Sequence, residues 1–217
     1  PNNPTGVVYD QATWEGIAKV CQDHDLWLIS DEVYDTQVWQ GKHISPRSLD
    51  GMAERTLVIG SMSKSHAMTG SRVGWVCGPE QVINHLINLA THTTYGVPGY
   101  IQDAADFALN QGAEAEMAVA EPFRRRRQIA MDLIAKQNLV RAVHCSGAMY
   151  MMLDIRATGL SGEAFAHALL DAKQIAVMPG ESFGQAAAGH IRVAMTVGDT
   201  QFKRALEVLL AFVASLN

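Results

Sequence analysis

The chain has 217 residues, 48% hydrophobic and 18% charged, with 17 Lys and Arg against 22 Asp and Glu for a formal charge of −5. Apolar content of this order excludes a disordered chain and supports one large or two small cored domains, and the mild acidity excludes a nonspecific nucleic-acid binder, which needs clustered positive charge. Three cysteines without CxxC spacing exclude a disulfide scaffold and point to a reducing cytoplasm; no apolar run approaches the roughly 18 residues of a membrane span, and nothing reads as a basic-then-apolar signal segment.

The opening Pro-Asn-Asn-Pro-Thr-Gly (1–6) is turn chemistry: Pro fixes φ, Asn tolerates left-handed geometry and Gly supplies positive φ. A turn at the start predicts that chain precedes it, so the sequence reads as the C-terminal part of a longer protein. From Asp10 to about Asp25 a helix is predicted, with Asp10 as N-cap and Trp14, Ile17, Ala18 and Cys21 at i, i+3, i+4, i+7. Leu26–Ile29 is a short apolar run ending in Ser-Asp-Glu, the pattern of a fully buried parallel strand with polar residues at its carboxyl end. Residues 56–60 repeat the device and end in Ser61-Met62-Ser63-Lys64. Arg72–Cys77 is a third strand, and the short link from Lys64 favours an antiparallel one.

Pro79 and Glu80 open a helix with Val82, Leu86, Leu89 and Ala90 on one face. After a polar loop over 91–99, helices are predicted at about 100–110 and 113–137. Beyond Gly147 the texture becomes that of a smaller α+β unit: a strand over Ala148–Ile155, a helix over Ser161–Lys173, strands at Ile175–Met178 and His190–Thr196, and a last helix over Asp199–Ser215. The predicted domains are 1–120 and 121–217. Arg124–Arg127 lack interleaved aromatics and read as a helix face in water or paired with acids, not as a nucleic-acid patch. His66 reads as a packing residue, Cys145 as a buried one, and the eight histidines show no metal spacing.

Ligands of open α/β sheets sit outside the carboxyl ends of the strands. Two such ends present Asp31 with Tyr34, and Ser61 with Ser63 and Lys64; Asn3 and Arg72 complete the set. Singly each is ordinary: a helix cap, a core aromatic, a turn former, loop hydroxyls, surface cations. Together they supply an acid, a phenol, an amide, an amine, a guanidinium and two hydroxyls. An imine-forming pyridine cofactor needs such a set: an amine as nucleophile, a carboxylate for the ring nitrogen, donors for the ring oxygen, and Arg and Ser for a phosphate.

Asn-Pro-Thr-Gly (3–6), Asp-Glu-Val-Tyr (31–34) and Ser-Met-Ser-Lys-Ser-His-Ala-Met-Thr-Gly-Ser-Arg-Val-Gly-Trp (61–75), in that order and spacing, resemble the motifs of class I/II aminotransferases of fold type I, which use pyridoxal 5'-phosphate. Ile-Arg-Val-Ala-Met (191–195) resembles the family's substrate-arginine strand, and Pro-Gly-Glu-Ser-Phe-Gly (179–184) its small-domain loop near the active-site mouth. The resemblance covers essentially the whole chain. It implies an α/β fold: part of a large domain with a mostly parallel sheet, followed by a smaller α+β domain. It implies that Lys64 binds the cofactor covalently and shuttles the proton, that Asp31 pairs with the pyridine nitrogen, and that Tyr34 and Asn3 bind the ring oxygen. Ser61, Ser63 and Arg72 would hold the phosphate, and Arg192, with Asn3, would take the substrate carboxylate.

The resemblance further implies a homodimer acting on an amino acid and a 2-oxo acid, with a glycine-rich phosphate loop, a ring-stacking aromatic and an N-terminal arm upstream of Pro1, and no activity for the chain alone. The lysine region is most similar to bacterial transaminases of the arginine–pyruvate kind. Two other readings stay open at this point. A carbon–sulfur β-lyase uses the same lysine, and a ligand-sensing domain of a transcription regulator keeps the fold without the catalysis.

Overall fold

The computed structural model describes residues Pro1–Leu216. It divides into two compact units, Tyr9–Ala120 and a second that joins Pro1–Val8 to the residues from Glu121 onward. The division falls inside a long helix, Ala113–Ile134. The opening turn thus departs from the first predicted domain. The carbonyl of Gly6 accepts the N–H groups of Ser146 and Gly147, both at 2.8 Å, and Val8 N donates to Ser146 Oγ at 3.1 Å. Gly6 is required there: its φ is +73°, and a Cβ would lie 2.6 Å from Cys145 Sγ.

In the unit Tyr9–Ala120, α1 (Gln11–Asp23) starts where Asp10 Oδ1 accepts Thr13 N at 2.8 Å, the expected cap. Three strands follow, β1 (Leu28–Asp31), β2 (Thr56–Ser61) and β3 (Gly74–Cys77), in the order β1-β2-β3. β1 and β2 are parallel, and β3 runs antiparallel to β2, as the short link from Lys64 predicts. The short helix α2 (Met62–Ser65) closes the end of β2, and α3 (Glu80–Thr93), α4 (Gly99–Leu109) and the first part of α5 (Ala113–Ile134) complete the unit.

Two expectations are corrected here. β1 is half-buried, not fully buried: Leu28 packs with Ala18, Cys21, Met52 and Leu49 beneath α1, while Ile29, on the opposite face, is 68% exposed. Its ladder also begins at Leu28, because Leu26 N still donates to Cys21 O at the end of α1 and pairing starts with Leu28 N to Arg55 O. The apolar face predicted for α3 is only partly covered. No residue of this helix is buried, and Leu86, Leu89 and Ala90 line an open cavity of about 610 Å³ against β2 and β3.

The second unit is built on a four-stranded antiparallel sheet of β4 (Arg141–Ala142), β5 (Tyr150–Asp154), β6 (Met178–Pro179) and β7 (His190–Ala194), in the order β4-β5-β7-β6. β6 is shorter than predicted and begins only at Met178. Gln174 ends the preceding helix in the left-handed region, and Ile175–Val177 lie outside the ladder along an apolar groove with Phe202 and Leu206. Two helices cover this sheet's core, α6 (Gly162–Lys173), capped by Ser161, and α7 (Asp199–Ser215). Phe165 and Leu169 of α6, Leu209, Phe212 and Val213 of α7, and Met151, Leu153 and Ile191 of the sheet are all buried, and the Phe165 and Phe212 rings meet with centroids 5.7 Å apart. Each such large apolar side chain contributes roughly 1.5–3 kcal/mol on full burial. The four consecutive arginines are spent structurally: Arg124 on Glu121, Arg125 and Arg126 on Asp199, and Arg127 on the carbonyl of Cys145.

Candidate functional site

The predicted residues fall in both units. Asp31, Tyr34, Ser61, Ser63, Lys64 and Arg72 belong to Tyr9–Ala120; Asn3 and Arg192 belong to the other. In the first group, Asp31 ends β1 opposite Ile59, and Ser61 ends the neighbouring parallel strand two residues further on. Asp31 is exposed, and among the described residues its carboxylate accepts one long hydrogen bond, from Val33 N at 3.3 Å. Ser61 Oγ accepts Ser63 N at 3.1 Å and donates to Val73 O at 3.3 Å, so it caps α2 and ties it to the chain entering β3. Lys64 lies in α2, half-buried, and among the described residues its Nζ forms no hydrogen bond or ion pair. Arg72 sits in the left-handed region at φ 55°, a conformation costing roughly 1 kcal/mol for a residue with a Cβ. Ser61, Ser63 and Arg72 line the same 610 Å³ cavity; Asp31, Tyr34 and Lys64 do not.

Tyr34 and Lys64 are joined by a residue that sequence reading passed over. Gln37, fully buried, donates from its backbone N to Tyr34 O at 2.9 Å and from Nε2 to Lys64 O at 3.3 Å. A second such group stands beside Asp31. Glu32 is buried, and its carboxylate takes His43 Nε2 at 2.7 Å on one oxygen and Ser45 Oγ at 2.8 Å on the other. This clamps the loop after Tyr34 back onto the strand end. Through-space pairs eleven and 27 residues apart leave no periodic signal, which is why neither was found. His66 packs as predicted: Nδ1 meets Ser65 Oγ at 2.8 Å, and Nε2 lies 3.9 Å from Glu116.

Burial alone would push the Glu32 carboxyl up, but the hydrogen bonds from His43 and Ser45 and the charge of His43 outweigh it and hold the group below its ordinary value. A carboxyl depressed in the fold contributes stability that is present above its unfolded value and is lost as pH falls through the folded one. Stability should therefore drop in acid, below about pH 4.5. Glu32→Gln should remove that part of the slope and cost about 1–3 kcal/mol at neutral pH, the usual penalty for disrupting a buried charge-assisted network. Thermal melts from pH 7 to 3 check this; identical pH slopes in both proteins would count against the clamp.

In the second unit, Arg192 on β7 reaches Asn3 in the opening turn: Nη1 donates to Asn3 Oδ1 at 2.7 Å. With Oδ1 so used, the Asn3 amide offers only its NH₂ donors, which suits an oxygen ligand. The guanidinium lies 4.1 Å from the Tyr150 ring centroid and 4.9 Å from that of Phe183. Phe183 comes from the Pro-Gly-Glu-Ser-Phe-Gly loop. Cys145 is buried, and burial pushes its thiol up, which makes it a packing residue and not a nucleophile. Among the described residues no cluster of His, Cys, Asp or Glu suits a metal ion, and no helix is long and apolar enough to cross a membrane.

Parallel strand ends carrying an unpaired lysine, a carboxylate and a phenol, with two hydroxyls and an arginine on one cavity, make up the donor set that a phosphorylated pyridine aldehyde requires. The residues fit that cofactor by chemistry: an amine for the aldehyde, a carboxylate for the ring nitrogen, a phenol for the ring oxygen, and hydroxyls with an arginine for part of the phosphate are present, and among the described residues Lys64 Nζ is not spent on another group.

The chain belongs to the class I and II aminotransferases, whose family model matches residues 1–209. Members of this family work with pyridoxal 5'-phosphate. The chain is similar to the arginine–pyruvate transaminase of Pseudomonas aeruginosa, at 47% identity over all of this chain and 55% of that protein. It is also similar to the aspartate/prephenate aminotransferase of Thermus thermophilus, at 36% identity over 95% of this chain and 53% of the relative. Among solved structures, an aromatic aminotransferase from Pyrococcus horikoshii matches with a TM-score of 0.94 and 32% identity, over 99% of this chain and 58% of the other. The chain spans about half the length of the curated relatives it matches.

Proposed function

We propose that the protein transfers an amino group from an amino acid to a 2-oxo acid in two half-reactions, with pyridoxal 5'-phosphate as carrier. The observation that carries this reading is the Lys64 amine, without a partner among the described residues, in the short helix α2 that follows β2 and in the spacing the family uses. The bound cofactor supplies an electron-withdrawing ring for the bonds at the substrate Cα. Lys64 Nζ would hold the cofactor through its aldehyde, and the same amine would take the substrate Cα proton and return it. Asp31 keeps a proton on the pyridine nitrogen through its charge. Tyr34 Oη would donate to the ring oxygen, a role the resemblance to the family also gives the Asn3 amide. Ser61, Ser63 and Arg72 bind the phosphate, with Arg72 offering the planar fork that phosphate recognition favours.

Arg192 takes the substrate α-carboxylate. Arg192→Lys keeps the charge and loses the two-pronged geometry. It should lower kcat/KM for amino acids by about 10- to 100-fold, the order expected for a hydrogen bond to a charged group, with cofactor content unchanged. Loss of cofactor instead would move Arg192 to the phosphate site. The reading also places the protein in the cytoplasm as a homodimer. The resemblance to the family supports the dimer, and three free cysteines support the compartment. The test is an assay of the purified full-length protein, not of this chain alone, with pyridoxal 5'-phosphate, a panel of amino acids, and pyruvate as acceptor. New amino acid formed in step with the loss of donor supports amino-group transfer. Release of ammonia and a 2-oxo acid without any acceptor would replace the reading with a lyase.

A further inference from the structure

The geometry points to Tyr150 and Phe183 as positioning residues whose rings hold the Arg192 guanidinium for the substrate carboxylate without neutralising it; this rests on the role given to Arg192 above. Across the β5–β7 ladder, Met152 pairs with Arg192 and Tyr150 with Ala194, so Tyr150 lies diagonal to Arg192 on the same sheet face, within reach of a long side chain. Phe183 reaches the guanidinium from the 3-10 turn Gly180–Phe183. That turn is pinned in place: Glu181 Oε1 accepts Gly162 N at 2.9 Å and Gly189 N at 3.1 Å. Gly180 has no room for a side chain, since a Cβ would lie 2.0 Å from Ala187 O.

Among the described residues Arg192 forms no ion pair. Nη1 bonds to Asn3, and Nε is buried with no partner. Only the terminal nitrogens are left to meet a ligand. An arginine held by Asp or Glu would have its fork occupied before substrate arrived. Aromatic faces attract the cation through their quadrupoles and offer no acceptor in the plane of the fork. They also remove the rotamer entropy of a long side chain in advance, so less is lost when a carboxylate binds.

The experiment measures the affinity of the cofactor-loaded protein for pyruvate by calorimetry, alongside KM and kcat, in Tyr150→Leu, Phe183→Leu, the ring-keeping Tyr150→Phe and Phe183→Tyr, and Arg192→Leu. The leucine variants should bind pyruvate about 3- to 30-fold more weakly, the loss expected for one partly desolvated cation–ring contact. Their KM should rise by the same factor, with kcat within about twofold and cofactor affinity unchanged. The ring-keeping variants should bind like wild type, and they decide the matter if a leucine variant fails to fold. Leucine variants with wild-type affinity, or ring-keeping variants as weak as the leucine ones, would overturn the inference. Arg192→Leu binding pyruvate like wild type would instead remove the role of Arg192 itself.

Discussion

Lys64→Ala should reduce amino-group transfer to background while leaving the fold largely intact. The two halves of that expectation come from different observations. The side chain is half-buried and its amine has no partner among the described residues, so little folding energy is tied to it. What fixes the surrounding turn is its backbone: Lys64 O accepts from Gln37, and α2 is capped by Ser61. In the proposed role the amine is both nucleophile and proton carrier. General acid–base catalysis alone contributes about 10²- to 10⁴-fold, and loss of the covalent anchor adds to that. Transfer rates measured beside a far-ultraviolet dichroism spectrum check it. A variant keeping more than about a hundredth of the wild-type rate would remove Lys64 from the chemistry.

Asp31→Ala should be the next most damaging change, and it should act on the rate rather than on cofactor attachment. A carboxylate next to a pyridine nitrogen raises the proton affinity of the ring through its charge. Asp31 is suited to that: it ends β1, and the hydrogen bond it accepts from Val33 N, its one among the described residues, is long, leaving the carboxylate available to a ligand. Its loss should raise the barrier to Cα-proton removal by about 3–5 kcal/mol, or roughly 10²- to 10⁴-fold in rate. Asp31→Asn, which keeps the shape and removes the charge, should fall almost as far. Single-turnover measurement of one half-reaction separates this step from binding. An unchanged rate in both variants would exclude Asp31 from the mechanism.

Much of this was legible in the sequence where the signal is local. The Asp10 cap and the spacing of Trp14, Ile17, Ala18 and Cys21 mark α1, and α7 runs over Asp199–Ser215 as predicted. The antiparallel turn of β3 follows from a link too short for a crossover. Apolar runs proved weaker guides. Leu26–Ile29 and the face of α3 carry the residues of buried elements, yet Ile29 and Leu89 are exposed, because composition says that a surface can be covered and not what covers it. The motifs gave the residues at the strand ends but not what braces them. Glu32 with His43, Gln37 with Lys64, and Arg192 with Asn3 are through-space pairs, the last 189 residues apart, and no periodicity encodes them. Phe183 was within reach, since its loop was singled out; its contact with Arg192 needed the register of β5 on β7 and the pinned turn.

The central claim is that Lys64 is the residue that binds the cofactor, and one labelling experiment addresses it. The purified protein is mixed with pyridoxal 5'-phosphate, reduced with sodium borohydride to fix the cofactor to its amine, digested and mapped by mass spectrometry. A single phosphopyridoxyl label is expected, on the peptide containing Ser61-Met62-Ser63-Lys64, absent from Lys64→Ala. A label placed on another lysine, or one that persists in Lys64→Ala, would contradict it.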